Sequence, residues 1–96
     1  MDKLLINNID GFIDAVLKLD SKEACKNFFL DVCTIKELQD MSQRLLVAKE
    51  LRAGRSYQEI SRSTGASTAT ISRVNRCLNW GSGGYAFVLD SEEKDD

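Results

Sequence analysis

A glycine at position 65, placed between two short amphipathic segments, is the feature that most constrains how this 96-residue chain folds. Apolar residues recur around it at the spacing that lets two helices pack against each other at a steep angle; they are Ile60, Ala66, Ile71 and Val74. Glycine tolerates the positive φ that a sharp turn between helices requires. Ser67 follows as the predicted N-cap of the second helix. Residues 58–74 therefore predict a helical hairpin of the helix–turn–helix type.

The outer face of the second hairpin helix is small, hydroxylic or cationic, which is typical of a surface that contacts DNA. Side chains predicted to meet base edges are Ser67, Thr68, Ala69 and Ser72, and those predicted to hold phosphates are Arg62, Arg73 and Arg76. Small hairpins packed for purely structural reasons share this pattern. The alternative is therefore a helical interaction module that docks on a protein partner such as the transcription machinery, without specific DNA binding.

The formal net charge of −2 is unevenly distributed along the chain. Residues 44–76 hold seven cations and two acids, whereas residues 1–43 and 77–96 are each net acidic. Because phosphates respond to a local basic face rather than to the overall charge, this distribution favours DNA binding. Lys49 and Arg52 are interpreted as ordinary cations of a solvated helix surface.

Composition gives no support to catalysis or metal binding. Histidine is absent, and Cys25, Cys33 and Cys77 lack the spacing of metal ligands. The three cysteines are predicted to be buried free thiols in apolar helical surroundings. No glycine-rich phosphate loop or nucleophile motif is present, so an enzyme is not predicted. No apolar run approaches the length of a membrane span and no leader segment opens the chain, so we expect a cytoplasmic protein without a membrane partner.

The pattern of apolar residues and caps predicts an all-α chain. A first helix is expected at about residues 10–19, a second after Asp20 or Ser21, and a third from a Thr34–Glu37 capping box to Gly54. The first hairpin helix follows a cap at Ser56, and the second spans about residues 68–79. Residues 1–89 are predicted to form one domain, in which residues 85–89 form either a helical turn or an extended arm. Residues 90–96 are expected to be a solvated, mobile acidic tail.

The first two predicted helices are more apolar than so short a chain needs, with Phe12, Phe28 and Phe29 as their largest side chains. Residues 1–33 form either a monomeric core or, as favoured here, a dimer interface. Two-fold symmetry would place two recognition helices one DNA turn apart and so multiply the contacts that one small hairpin makes.

From about Thr34 to Asn79 the chain resembles the bacterial tryptophan repressor family, and more closely its YerC/YecD group. The residues that match are Thr34, Arg44, Glu50, Leu51, Gly54, Gln58, Gly65, Ala66 and the run Ala69-Thr70-Ile71-Ser72-Arg73. The resemblance implies a TrpR-like helical bundle with a helix–turn–helix, assembled as an intertwined homodimer. It also implies a sequence-specific transcriptional regulator, expected to be a repressor, that binds double-stranded DNA.

In the repressor family an amino-acid corepressor is held by two arginines and a threonine. The matching positions in this sequence are Arg44, Arg73 and Thr34, and an arginine pair suits a carboxylate because each guanidinium is a planar two-pronged donor. The neighbouring positions differ, since Val74 stands where the repressor has glycine and Cys77 where it has serine. Tryptophan is therefore not the expected ligand. A different small amino-acid-like effector and no effector at all are the alternatives that remain.

Overall fold

The computed structural model describes residues 1–94, and within that range every regular element is an α-helix, as the sequence predicts. The helices are α1 (Lys3–Val16), α2 (Lys22–Val32), α3 (Ile35–Arg52), α4 (Tyr57–Thr64), α5 (Thr68–Trp80) and α6 (Gly84–Lys94). The chain divides into two compact units, Met1–Leu38 and Gln39–Asp96. Each unit is described by itself.

The first helix begins at Lys3 and ends at Val16, whereas the apolar spacing placed it near residues 10–19. Its start is set by Asp2, whose carboxylate oxygen accepts a hydrogen bond from the Leu5 N–H at 2.8 Å. Aspartate is a strong N-cap because it satisfies a first-turn donor that has no partner inside the helix. The cap extends the helix over residues 4–9, which are mostly apolar and which the sequence analysis did not assign.

In the first unit, α1 and α2 contact each other through three phenylalanine rings. Phe12 lies with its ring centroid 5.9 Å from that of Phe28 and 6.3 Å from that of Phe29, and the last two are 5.5 Å apart in an edge-to-face arrangement. Ser21 caps α2 as predicted, since its hydroxyl oxygen accepts the Ala24 N–H at 3.0 Å. No residue of this unit is buried, although its apolar content is high.

The start of α3 is the capping box that the sequence predicts. The Glu37 N–H donates to the Thr34 hydroxyl oxygen at 3.1 Å, and the Thr34 N–H donates back to the Glu37 carboxylate at 2.8 Å. Hydrogen bonds from the Thr34 backbone, and then from its side chain, lower the pKa of the Glu37 carboxyl. The hydroxyl of Thr34 therefore has a defined structural role.

The end of α3 is a glycine-dependent turn, again at the predicted place. Gly54 has a φ of 83° and donates its N–H to the Leu51 carbonyl at 3.0 Å, while the Arg55 N–H reaches the Glu50 carbonyl at 3.2 Å. This pair of bonds is a Schellman motif, which satisfies the last carbonyls of the helix and turns the chain sharply. The turn leads into α4 after four residues, 53–56.

The core lies in the second unit, where α3, α4, α5 and α6 meet. Its buried members are Val47, Ala48, Ile60, Ala66, Ile71, Val74 and Leu89, and each is at most 4% exposed. The inward orientation predicted for Ile60, Ala66, Ile71 and Val74 is confirmed. Because burial of a Val or Ile side chain contributes about 1.5–3 kcal/mol, this small cluster is the main apolar support of the unit.

The C-terminal segment departs from the sequence-based expectation. Residues 85–89, whose form the sequence left open, are helical, and the helix continues through residue 94 where a mobile tail was expected. Leu89 is 4% exposed and belongs to the core, so it anchors the middle of α6 and keeps the acidic residues that follow in helical register. Residues 95 and 96 of the expected tail lie outside the described residues.

Replacing Gly65 with alanine is expected to lower the free energy of unfolding by about 1–2 kcal/mol, because the left-handed backbone is costly for a residue with a Cβ. The φ of Gly65 is +76°, and an added Cβ would meet only the Gln43 side chain at an ordinary 3.9 Å, so sterics play little part. Urea unfolding followed by circular dichroism measures the change.

The matched control is Gly11→Ala, in the middle of α1, where an added Cβ meets nothing within 4 Å. Gly11 lies on the same side of the helix as Asn7 and Asp14, away from the apolar face. Alanine at this position is expected to stabilise the chain by about 0.5–1 kcal/mol. Destabilisation of equal size in both variants would contradict a special role for the backbone at Gly65.

Candidate nucleic-acid interface

Helices α4 and α5 form a hairpin whose ends are capped locally. Ser56 caps α4, with its hydroxyl oxygen accepting the Glu59 N–H at 3.2 Å, and α4 ends at Gly65 in the left-handed conformation. Ser67 caps α5 by accepting the Thr70 N–H, also at 3.2 Å. These are the caps and the turn that the sequence predicts, and they separate the two helices by only three residues, 65–67.

Side-chain hydroxyls satisfy the backbone groups of the turn. The Ser61 hydroxyl donates to the Ala66 carbonyl at 2.8 Å, and the Thr64 hydroxyl donates to the Ile60 carbonyl at 2.7 Å. The Thr64 oxygen also accepts the Ala66 N–H at 3.1 Å. Because the backbone groups that leave the helical pattern are paired inside the hairpin, the turn has a single favoured geometry.

Two polar residues of α3 hold the hairpin in place through hydrogen bonds to α4. The sequence analysis gave neither of them this role. The Gln43 amide donates to the Thr64 carbonyl at 3.2 Å, and the Glu50 carboxylate accepts the Ser63 hydroxyl at 2.7 and 2.9 Å. Gln43 and Glu50 are seven residues apart and so lie on one face of α3. The sequence signal that could have identified them is a pair of polar residues, seven positions apart, on the face of α3 that packs against the hairpin.

Every residue that the sequence analysis proposed for DNA contact has an exposed side chain, and α5 buries Ile71 and Val74 on its opposite face. The exposed residues are Arg62, Ser67, Thr68, Ala69, Ser72, Arg73 and Arg76. The Ser67 hydroxyl is already engaged, because it also donates to the Thr70 hydroxyl at 3.1 Å. Thr68 is the first residue of α5, and its hydroxyl makes no hydrogen bond within residues 1–94.

Part of the positive charge of residues 44–76 is neutralised by carboxylates within the second unit. This corrects the interpretation of Lys49 and Arg52 as ordinary solvated cations. Ion pairs join Lys49 Nζ to Glu92 Oε1 at 3.3 Å, Arg52 Nη2 to Asp90 Oδ1 at 2.6 Å, and Arg55 Nε to Glu50 Oε1 at 3.9 Å. All three cations belong to the end of α3 or to the turn after it. The carboxylates that face Lys49 and Arg52 both come from α6, at residues that the sequence analysis assigned to a solvated, mobile tail.

The remaining arginines of residues 44–76 are not neutralised by carboxylates of the described residues. Within residues 1–94, Arg44, Arg62, Arg73 and Arg76 make no ion pair. The first turn of α5 also contains no acid, whereas those of α2, α3 and α4 each contain a glutamate. The positive end of the α5 dipole is therefore uncompensated beside the free arginines. This combination makes the α4–α5 surface attractive to phosphates.

The residues proposed for an effector are divided between the two units. Thr34 belongs to the first unit, where its hydroxyl serves the capping box, and Arg44 and Arg73 belong to the second. Val74 is 1% exposed and fills core space between the helices.

The prediction that the three cysteines are buried is wrong. The free thiols of Cys25 and Cys33 are partly exposed and that of Cys77 is exposed. This exposure arises because none of the three faces the core.

The second unit also contains an open apolar hollow of about 590 Å³. Neither Arg44 nor Arg73 lines it; its lining residues are Leu45, Cys77, Gly81, Ser82, Gly84, Tyr85 and Val88. The described residues include no cluster of side chains suited to hold a metal ion and no helix that is both long and apolar enough to cross a membrane.

These features define the class of protein: a small all-helical chain with a capped hairpin and unpaired arginines on its outer face. The chain belongs to the Trp repressor protein family, whose sequence model matches residues 7–93. Over 90 residues it is 50% identical to the uncharacterized protein YerC of Bacillus subtilis (strain 168), covering 94% of this chain and 86% of that protein. The resemblance inferred from the sequence is confirmed.

Two crystal structures share the fold. One is a Staphylococcus aureus protein provisionally described as a Trp repressor, with a TM-score of 0.85 and 47% identity over 91% of this chain and 87% of that one. The other is a TrpR-like protein of Eubacterium eligens ATCC 27750, with a TM-score of 0.87 and 47% identity over 91% of this chain and 90% of that one. The all-helical TrpR-like fold is therefore established.

Proposed function

We propose that this protein is a sequence-specific DNA-binding transcriptional repressor that acts as a homodimer through a helix–turn–helix formed by α4 and α5. The observation that supports it most directly is the division of charge. Arg62, Arg73 and Arg76 are exposed and make no ion pair within residues 1–94, while the cations at the end of α3 are paired. Membership of the Trp repressor family supports the same function.

In this proposal α5 enters the major groove with its N-terminal turn, and the arginines hold phosphates on either side. Thr68, Ala69 and Ser72 meet base edges, where a hydroxyl donates or accepts and a methyl group contacts thymine. Ser67 contributes mainly as the cap that fixes the start of the helix. Because these side chains are small, bridging water and DNA shape supply part of the specificity.

The proposed dimer is supported by apolar surface that a single chain leaves uncovered. In the first unit Leu4, Leu17 and Ile35 are 71, 76 and 61% exposed, and no residue of that unit is buried. In the second unit Trp80 and Phe87 are 83 and 75% exposed. Exposed apolar surface of this extent is typical of an interaction site, and a second copy of the chain would cover it in both subunits at once.

Light scattering in solution is expected to give twice the chain mass of 10.7 kDa. Ile9→Asp is expected to shift the equilibrium strongly toward the monomer, because Ile9 is 42% exposed on the apolar side of α1 and a charge there would be buried by association. Asn7→Asp, on the polar side of the same helix, is the control and should leave the mass unchanged. A wild-type chain that stays at 10.7 kDa at micromolar concentration would contradict the dimer.

Arg76→Ala is expected to weaken binding to all DNA sequences. One lost phosphate contact should reduce the slope of log affinity against log salt concentration by about 0.9. Fluorescence anisotropy with a labelled duplex, titrated at several salt concentrations, measures both quantities. Lys49→Ala removes the same charge from a residue already paired with Glu92, so it should leave the slope unchanged. Equal changes in the two variants would count against a specific role for Arg76.

Thr68→Ala is expected to reduce the preference for a selected binding site over random DNA while leaving the fold intact, because alanine is a better helix former than threonine. The site is first obtained by selecting bound fragments from random DNA. Ser91→Ala, which removes an exposed hydroxyl on α6 that bonds only to the Phe87 carbonyl among the described groups, is the control. A Thr68→Ala variant that lost affinity equally on both kinds of DNA would refute its contact with bases.

We further propose that binding needs no amino-acid effector. Val74 fills core space at 1% exposure, and the Thr34 hydroxyl is held by the Glu37 N–H. A small anionic effector at Thr34, Arg44 and Arg73 is the competing proposal, since both arginines lack an ion pair within residues 1–94. Unchanged DNA affinity on addition of tryptophan or other amino acids is the expected result, and a tenfold increase with any of them would contradict it. A cytoplasmic location stays a prediction.

A module that docks on a protein partner is the second candidate, favoured by the exposed Trp80 and Phe87. The two candidates differ in what charge reversal does. If the hairpin binds a duplex, Arg73→Glu with Arg76→Glu abolishes retention of the protein on DNA. If the exposed apolar residues are the functional surface, the charge reversal leaves retention on DNA the same as in the wild-type protein.

A further inference from the structure

Helix α6 brings two carboxylates onto the last turn of α3. The Asp90 carboxylate lies 2.6 Å from the Arg52 guanidinium, and the Glu92 carboxylate lies 3.3 Å from the Lys49 ammonium. Asp90 directly follows Leu89, which is buried in the core at 4% exposure, so the placement of the acidic residues is set by packing. The contacts are therefore a fixed part of the second unit.

The two ion pairs are too exposed to matter much for stability. The paired side chains are 30 and 52% exposed for Arg52 and Asp90, and 42 and 51% exposed for Lys49 and Glu92. Exposed pairs contribute little to the free energy of unfolding, because water screens the charges and holding long side chains in place costs entropy. Their larger effect is on the electrostatic field, since a cation beside an anion no longer attracts a distant phosphate.

The neutralised cations belong to the turn of α3 that also contacts the proposed DNA-binding hairpin. Glu50, in the same turn of α3, accepts the hydroxyl of Ser63 in α4, and Ser63 is adjacent to Arg62. Lys49 and Arg52 flank Glu50 by one and two positions. On a helix these positions point to sides other than that of Glu50, so without Asp90 and Glu92 the two cations would add positive charge on sides of α3 other than the one that contacts α4. Charge at that place attracts DNA of any sequence.

We propose that Asp90 and Glu92 are specificity-determining residues that suppress non-specific DNA binding by neutralising Arg52 and Lys49. This inference rests on the proposed function. With these two cations paired, the proposed phosphate contacts are those of Arg62, Arg73 and Arg76 on α4 and α5. Specificity is a ratio of affinities, so lowering affinity for random DNA raises it as effectively as adding a base contact.

The test is the double variant Asp90→Asn with Glu92→Gln, in which each carboxylate is replaced by an amide of the same shape. Affinities for a selected site and for a random duplex are measured against salt concentration. Binding to random DNA is expected to tighten several-fold, with a slope steeper by about 0.9 for each cation that gains a phosphate contact. The ratio of the two affinities is expected to fall. Thermal unfolding followed by circular dichroism reports whether the variant stays folded.

Two control variants separate the proposed effect from a change of net charge. Adding Lys49→Ala and Arg52→Ala to the double variant removes both cations and should return random-DNA affinity to the wild-type level, as a mutant cycle requires for coupled residues. Glu23→Gln with Asp31→Asn makes the same change of net charge in the first unit and should leave the affinity ratio unchanged.

The outcomes distinguish this inference from the proposed function. If Arg76→Ala weakens DNA binding but the Asp90/Glu92 double variant leaves the ratio unchanged, the inference fails and the proposed function stands. If the Glu23/Asp31 variant lowers the ratio equally, net charge is the cause and the inference also fails. If the wild-type protein shows no DNA binding that depends on Arg76, the proposed function fails and this inference fails with it.

Discussion

The apolar contact among α3, α4 and α5 is the interaction on which the rest of the second unit depends. Val47 and Ala48 of α3 are fully buried against residues that α4 and α5 turn inward, among them Ile60, Ile71 and Val74. With 3.6 residues per turn, burial of one face of each helix determines which side chains remain outside. The exposure of the arginines of the hairpin is therefore a consequence of core packing. Their exposure needs no further interaction to maintain it.

Polar contacts refine what the core establishes. The core fixes which faces meet, but apolar contacts are non-directional and allow one helix to slide or rotate on another. The bonds from Gln43 to Thr64 and from Glu50 to Ser63 are directional, and each joins α3 to the end of α4. Because the turn after Thr64 is held by its own hydroxyl bonds, the orientation of α4 is passed on to α5. The position of α5 is set by α3 through these few groups.

The sequence predicted those features that depend on neighbours in the chain. The turn at Gly65, the cap at Ser67 and the capping box at Thr34 each involve partners within a few residues, so residue type and spacing suffice to find them. The pair formed by Arg52 and Asp90 joins residues 38 positions apart, and no local pattern signals it. For the same reason the sequence predicted a solvated, mobile tail at residues 90–96. The helical form of residues 90–94 depends on Leu89 reaching a core made by other helices.

The division between unpaired and paired cations gives a chain with a net charge of −2 the local basic surface that the proposed DNA binding requires. At physiological salt, charges separated by more than about 8 Å are largely screened, so acids elsewhere on the molecule scarcely oppose a phosphate in contact with α5. What those acids change is the attraction felt by the rest of the surface. A uniformly basic protein holds DNA by any face, and its recognition helix then competes with its own non-specific contacts. Helix α6 pairs Lys49 and Arg52 with carboxylates, whereas the arginines of α4 and α5 make no ion pair within residues 1–94. This contrast supports the proposal that a duplex binds at α4 and α5.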